Sequence, residues 1–138
     1  MLSKIQHVAL AVADMDAALA FYRETWGLEV SRREIVERDQ VEEAMLPLGD
    51  SFLQLIAPTS DDSTVARFLE RRGEGVHHIA YEVDDIGATL DGLRAAGAAL
   101  IDEQPRSGGG GHMVAFVHPK GNHGVLVELI QTANPADE

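Results

Sequence analysis

Residues 5–12, IQHVALAV, alternate as a β-strand does. One face carries Ile5, His7, Ala9 and Ala11, and the other Gln6, Val8, Leu10 and Val12. The larger aliphatics suit packing under a helix, whereas the alanines leave room beside His7. The period then changes. Met15, Ala18, Leu19, Tyr22 and Trp26 recur at helical spacing behind Asp14, a good N-cap, and Gly27 stands where the helix should stop. Three strands are expected next, over 28–35, 42–47 and 51–57, with a turn at Gly49-Asp50 and with Phe52, Gln54 and Ile56 on one face of the last. The polar stretch 58–75 reads as a linker. Within it Ser63 caps a short helix, 64–72, with Val65, Phe68 and Leu69 on one side.

Alternation resumes over 76–83, which sets His78, Ala80 and Glu82 against His77, Ile79, Tyr81 and Val83. Asp85 caps a helix that runs to Gly97, and strands are expected at 99–103, 113–118 and 124–130. The second half repeats the first. With a shift of 71, residues 76–97 lie on 5–26 with seven identities, among them His7/His78, Ala9/Ala80, Val12/Val83 and Asp14/Asp85. A shift of 74 lays LVELI on FLQLI and puts Glu128 on Gln54. The order predicts an α+β fold of two tandem βαβββ modules in one domain, 1–138. Module one covers about 4–58, the linker about 59–75 and module two about 76–132.

Composition narrows the function. Neither half, at about 70 residues, buries much alone, so the two should share a core. A net charge of -12 argues against nucleic acid and anionic membrane as partners. It also means that an anionic ligand needs local cations, for which Arg32, Arg33, Arg106 and Lys120 are candidates. Cysteine is absent, so disulfide and thiolate chemistry are excluded. No apolar run approaches the roughly 18 residues of a membrane span, and a cytoplasmic protein is the default expectation.

Four polar positions are matched by the repeat: His7 with His78, and Gln54 with Glu128. Their spacings are 47 and 50 residues. Gln54 and Glu128 sit inside apolar runs, a costly place unless something pairs with them. Two imidazoles, an amide oxygen and a carboxylate suit an octahedral divalent metal such as Co, Mn, Ni, Fe or Zn, with two positions left for a bidentate ligand or water. Taken singly, a strand histidine is more often structural, and a strand glutamate often faces solvent. Matched positions favour the metal. His77 points to the opposite face and is excluded as a ligand. His112, His118 and His123 lie near loops and read as surface or ligand-facing groups. Glu43 lies outside the repeat, since its counterpart falls near Val114. It is either a solvated strand carboxylate or a general base. The run Gly108 to Gly111 lacks the Lys-Ser/Thr ending of a phosphate loop and reads as a lid or a close backbone approach.

These segments resemble a known group. The paired QHVALAV and HHIAYEV strands look like the vicinal oxygen chelate superfamily, which includes glyoxalase I, extradiol dioxygenases and fosfomycin and bleomycin resistance proteins. VEEAMLPLG, FLQLIAP, GEGVHHIAYEVDDI and HPKGNHGVLVELIQ resemble, in order, the superfamily's methylmalonyl-CoA epimerases. NHG before VLVEL departs mildly, a second glycine being more usual there. The resemblance implies a curved eight-stranded mixed sheet around a metal site. His7, Gln54, His78 and Glu128 would be the ligands of a divalent ion, Co2+ favoured over Mn2+, Ni2+ or Zn2+, and Glu43 the catalytic base. The implied substrate is methylmalonyl-CoA, whose carboxylate and thioester can chelate one metal, and the implied assembly a homodimer. Inversion at carbon needs acid/base groups on both faces, Glu43 on one and Glu128, or a water it orients, on the other. Lys120 is the first candidate for the CoA phosphates and Arg106 the second. The rival expectations are a glyoxalase I-like lyase acting on a thiol hemithioacetal, an extradiol dioxygenase, against which Gln54 as fourth ligand speaks, and a non-enzymatic binding protein of the same fold.

Overall fold

The computed structural model describes residues 2–133. Its strands are β1 (Leu2–Ala11), β2 (Arg32–Val36), β3 (Val41–Leu48), β4 (Ser51–Pro58), β5 (Gly75–Val83), β6 (Arg106–Ser107), β7 (Met113–Val117) and β8 (Val127–Gln131). Its helices are α1 (Met15–Phe21), α2 (Thr64–Arg72) and α3 (Ile86–Ala95). The eight strands form one mixed sheet. The chain divides into two compact units. One is His7–His77, and the other combines residues 2–6 with 78 onward.

In the first unit the strand order is β2-β3-β4-β1, with β1 and β4 parallel and the other pairs antiparallel. In the second it is β5-β8-β7-β6, with β5 and β8 parallel. The same element order thus gives the same topology twice. Asp14 and Asp85 cap α1 and α3 alike, each side chain accepting from the backbone N–H three residues on. Behind the first sheet half, Val12, Met15, Ala44, Leu46, Leu55 and Ala57 form a core under α1. Val83, Ile86, Leu90, Ala115, Val117, Val127 and Leu129 form its counterpart under α3. Leu46, Leu55 and Leu90 are among the most completely buried side chains, each contributing about 1.5–3 kcal/mol by removal from water.

Three expectations are corrected. The strand after α1 begins at Arg32, because Leu28 is held to the helix end by its N–H to Tyr22 O, 3.2 Å. Residues 99–103 form no strand. Only Leu100 bridges to Val117, while Ile101 and Asp102 N–H both donate to Phe116 O and the Asp102 carboxylate accepts from Phe116 N. A side chain thereby replaces part of the ladder, and pairing passes to β6. Trp26 is 65% exposed rather than on the apolar stripe. Past α1 the chain continues through 22–26 as a wider helical turn, whose changed angular step carries Trp26 off the buried face.

The linker helix forms as expected, with Ser63 Oγ accepting from Val65 and Ala66 N–H. The space beside the β1 alanines is partly taken by this helix, as Ala9, Ala11, Val41 and Ile56 cluster with Val65, Phe68 and Leu69.

Candidate metal centre

Residues directly opposite one another in a ladder share a sheet face. In the first unit Phe52 lies opposite His7, Gln54 opposite Ala9 and Ile56 opposite Ala11. Across β3, Met45 stands opposite Gln54 and Glu43 opposite Ile56. His7, Gln54, Met45 and Glu43 therefore occupy one face. His7 and Gln54 are 2% and 5% exposed. The Gln54 amide donates from Nε2 to Met45 Sδ at 3.5 Å, while its Oε1 is buried with no protein partner. Glu42 points the other way and takes Arg33 into an ion pair at 2.9 Å.

In the second unit Ala80 and Phe116 both lie opposite Glu128, which puts His78, Ala80, Phe116 and Glu128 on one face. His78 and Glu128 are both buried, and His78 Nε2 is 3.1 Å from Glu128 Oε1. The Phe116 ring meets His78 edge-on, centroids 5.4 Å apart. Arg106 covers Phe116 at 5.5 Å, with its Nε 3.3 Å from Asp102 Oδ1. Glu82 lies on the same strand face and buries an Oε1 that no protein group meets.

The other candidates sort by position. Lys120 is exposed on the short turn Pro119–Gly121, where its backbone N–H is fixed by His118 Nδ1 at 3.0 Å. Arg32 pairs with Glu34. Arg33 joins Asp16 and Glu42, and the hydrogen bond to Asp16 leads the effects that hold its guanidinium above the usual range. His77 meets the Phe68 ring of α2 edge-on, centroids 4.9 Å apart. His112 is buried rather than on the surface, and its Nδ1 accepts from Ala133 N, two residues past β8. The glycine run makes a close backbone approach. A Cβ on Gly108 would meet Val114 Cγ1 at 2.8 Å, so no larger residue fits unless Val114 shifts.

The donors suit a divalent metal. His7, His78 and Glu128, all buried, make a possible metal-ligand group among the described residues. Gln54 adds a buried amide oxygen whose bonding capacity the protein leaves unused. An unpartnered buried carbonyl costs about 1–3 kcal/mol, a cost that coordination removes. Met45, Phe116 and Asp102, which touch Gln54, His78 and Arg106 respectively, were not singled out from the sequence. Their places follow from strand register or a loop, and only the repeat, which equates Met45 with Phe116, carried any signal.

Residues 6–116 match the Glyoxalase/Bleomycin resistance protein/Dioxygenase superfamily, and the chain belongs to it. Among curated relatives, the ethylmalonyl-CoA/methylmalonyl-CoA epimerase of Cereibacter sphaeroides is 41% identical over 133 residues, covering 95% of this chain and 99% of the relative. Two solved structures superpose with a TM-score of 0.92 at 42% identity and 96% coverage of both chains. One is a substituted Streptomyces coelicolor methylmalonyl-CoA epimerase in complex with 2-nitronate-propionyl-CoA, and the other a methylmalonyl-CoA epimerase in complex with methylmalonyl-CoA and NH4+.

Proposed function

We propose that this protein interconverts (2R)- and (2S)-methylmalonyl-CoA. Near full-length similarity to epimerases of that substrate supports the reading. The observation that carries it is that Glu43, a carboxylate outside the repeat, lies on the same sheet face as His7 and Gln54.

His7, Gln54, His78 and Glu128 would hold one divalent metal, with Co2+ our first choice. When bound, it supplies Lewis-acid stabilisation of the negative charge that develops on the thioester oxygen. Glu43 removes the α-proton: the C–H bond breaks, its electron pair passes into the thioester carbonyl, and Glu43 carries the proton. Return of a proton to the opposite side of the carbon inverts it. Glu128, or a water that it orients, is the group proposed there. Glu128 is the weaker candidate for direct proton transfer, since a metal-bound carboxylate is a poorer base. Exposed Lys120 is proposed to meet the CoA phosphates, with Arg106, which shares the Glu128 face through the β6–β7–β8 register, as the second candidate. The proposal includes a homodimer and a cytoplasmic location.

The test is solvent exchange. Metal-loaded protein is incubated with methylmalonyl-CoA in heavy water, and the α-position is followed by mass alongside a coupled stereochemical assay. Rapid metal-dependent exchange with racemisation is expected, and Glu43→Gln should abolish most of it while retaining metal. Absence of exchange in metal-loaded wild type would overturn the reading and turn the search to thiol hemithioacetals.

A further inference from the structure

Gln54 is a symmetric-looking side chain with chemically unlike ends. Only its oxygen can ligate a metal, so the amide must be turned one way. The turning force is visible on β3. Met45 stands opposite Gln54 and is 5% exposed. Its thioether sulfur accepts hydrogen bonds but has no proton to give. Only the NH2 end of Gln54 can face it favourably, and Nε2 lies 3.5 Å away. The oxygen is then directed away from Met45, buried and without a protein partner. The repeat puts a related device in the second unit. Phe116, opposite Glu128 as Met45 is opposite Gln54, meets the His78 ring edge-on at 5.4 Å.

We propose that Met45 is a positioning residue for the metal centre: its sulfur fixes the Gln54 amide with Oε1 presented for coordination. The inference rests on the reading of Gln54 as a ligand. A leucine at this position fills nearly the same volume, so packing survives, but it offers the amide no acceptor. The NH2 group then loses its buried partner and the amide its preferred orientation.

The test measures Co2+ binding by calorimetry on stripped wild-type protein, Met45→Leu, Gln54→Ala and the double variant. Wild type is expected to bind one ion. Met45→Leu should weaken binding about tenfold, the low end for a group that orients a ligand. Met45→Leu in the Gln54→Ala background should cost nothing further, since a group acting through Gln54 has nothing left to orient. Selenomethionine at Met45 keeps an acceptor and should keep wild-type affinity. Wild-type affinity in Met45→Leu would overturn the proposal, as would an additive double variant, which would make Met45 merely structural. If wild type binds Co2+ but Gln54→Ala binds it equally well, the ligand reading of Gln54 falls first, a result distinct from either.

Discussion

At the scale of single residues, the candidate centre gathers buried polar groups, one of whose atoms is left uncompensated within the protein. Gln54 Oε1 has no protein partner, and Glu128 is buried against His78. Metal removal should therefore lower the melting temperature. At a thousandfold excess over the dissociation constant, the bound ion contributes about 4 kcal/mol. Thermal unfolding with and without chelator measures this, and superimposable melts would sink it. Gln54→Leu separates burial from coordination. It removes the orphaned oxygen, so the metal-free protein should gain about 1 kcal/mol, while the rise on adding metal shrinks. The four proposed ligand positions stand out in the sequence because polar residues interrupt apolar runs twice, at matched places. The role proposed for Met45 and the place of Phe116 opposite Glu128 were not legible. Both are apolar residues in apolar strands, and only the ladder register shows what each one faces.

At the scale of elements, legibility followed local chemistry. Helix α2 was expected over 64–72 and occupies Thr64–Arg72, because Ser63 supplies two capping bonds and Gly73 adopts a positive φ of 74°. The caps at Asp14 and Asp85 and the stop at Gly27 were readable for the same reason. The segment 99–103 was not, since nothing in its alternation announces that the Asp102 side chain will take a ladder position from the backbone. Helix α2 also has a consequence for the site. It packs over Ala9, Ala11, Val41 and Ile56, two residues from Glu43 on β3 and on the sheet face that bears it. Ser63→Ala removes the acceptor for Val65 and Ala66 N–H and should cost about 1 kcal/mol. Hydrogen exchange should show amides 64–66 losing protection before those of β4. Unchanged exchange there would mean that packing alone holds the helix start.

At the scale of the whole molecule, charge becomes the deciding term. The chain carries 23 acidic against 11 Lys and Arg residues, a net -12. Several of its arginines are engaged internally, Arg33 with Asp16 and Glu42, Arg94 with Asp91 and Glu103, and Arg106 with Asp102. A CoA thioester is itself polyanionic, so its approach opposes the long-range field of the protein. Local cations, with Lys120 proposed first, favour it at short range. The two effects respond differently to salt. The Debye length falls from about 30 Å at 0.01 M to about 10 Å at 0.1 M, which suppresses the distant repulsion while a close phosphate contact is screened less. kcat/KM for methylmalonyl-CoA should therefore rise about threefold over that range, modest beside the 10–10³ of strongly steered systems. Lys120→Ala should raise KM at every salt concentration with kcat unchanged, and should leave the sign of the salt effect intact. Steady-state kinetics across an ionic-strength series decides the matter. A kcat/KM that falls with salt in wild type, and no longer falls in Lys120→Ala, would show that the local patch and not the net charge governs encounter.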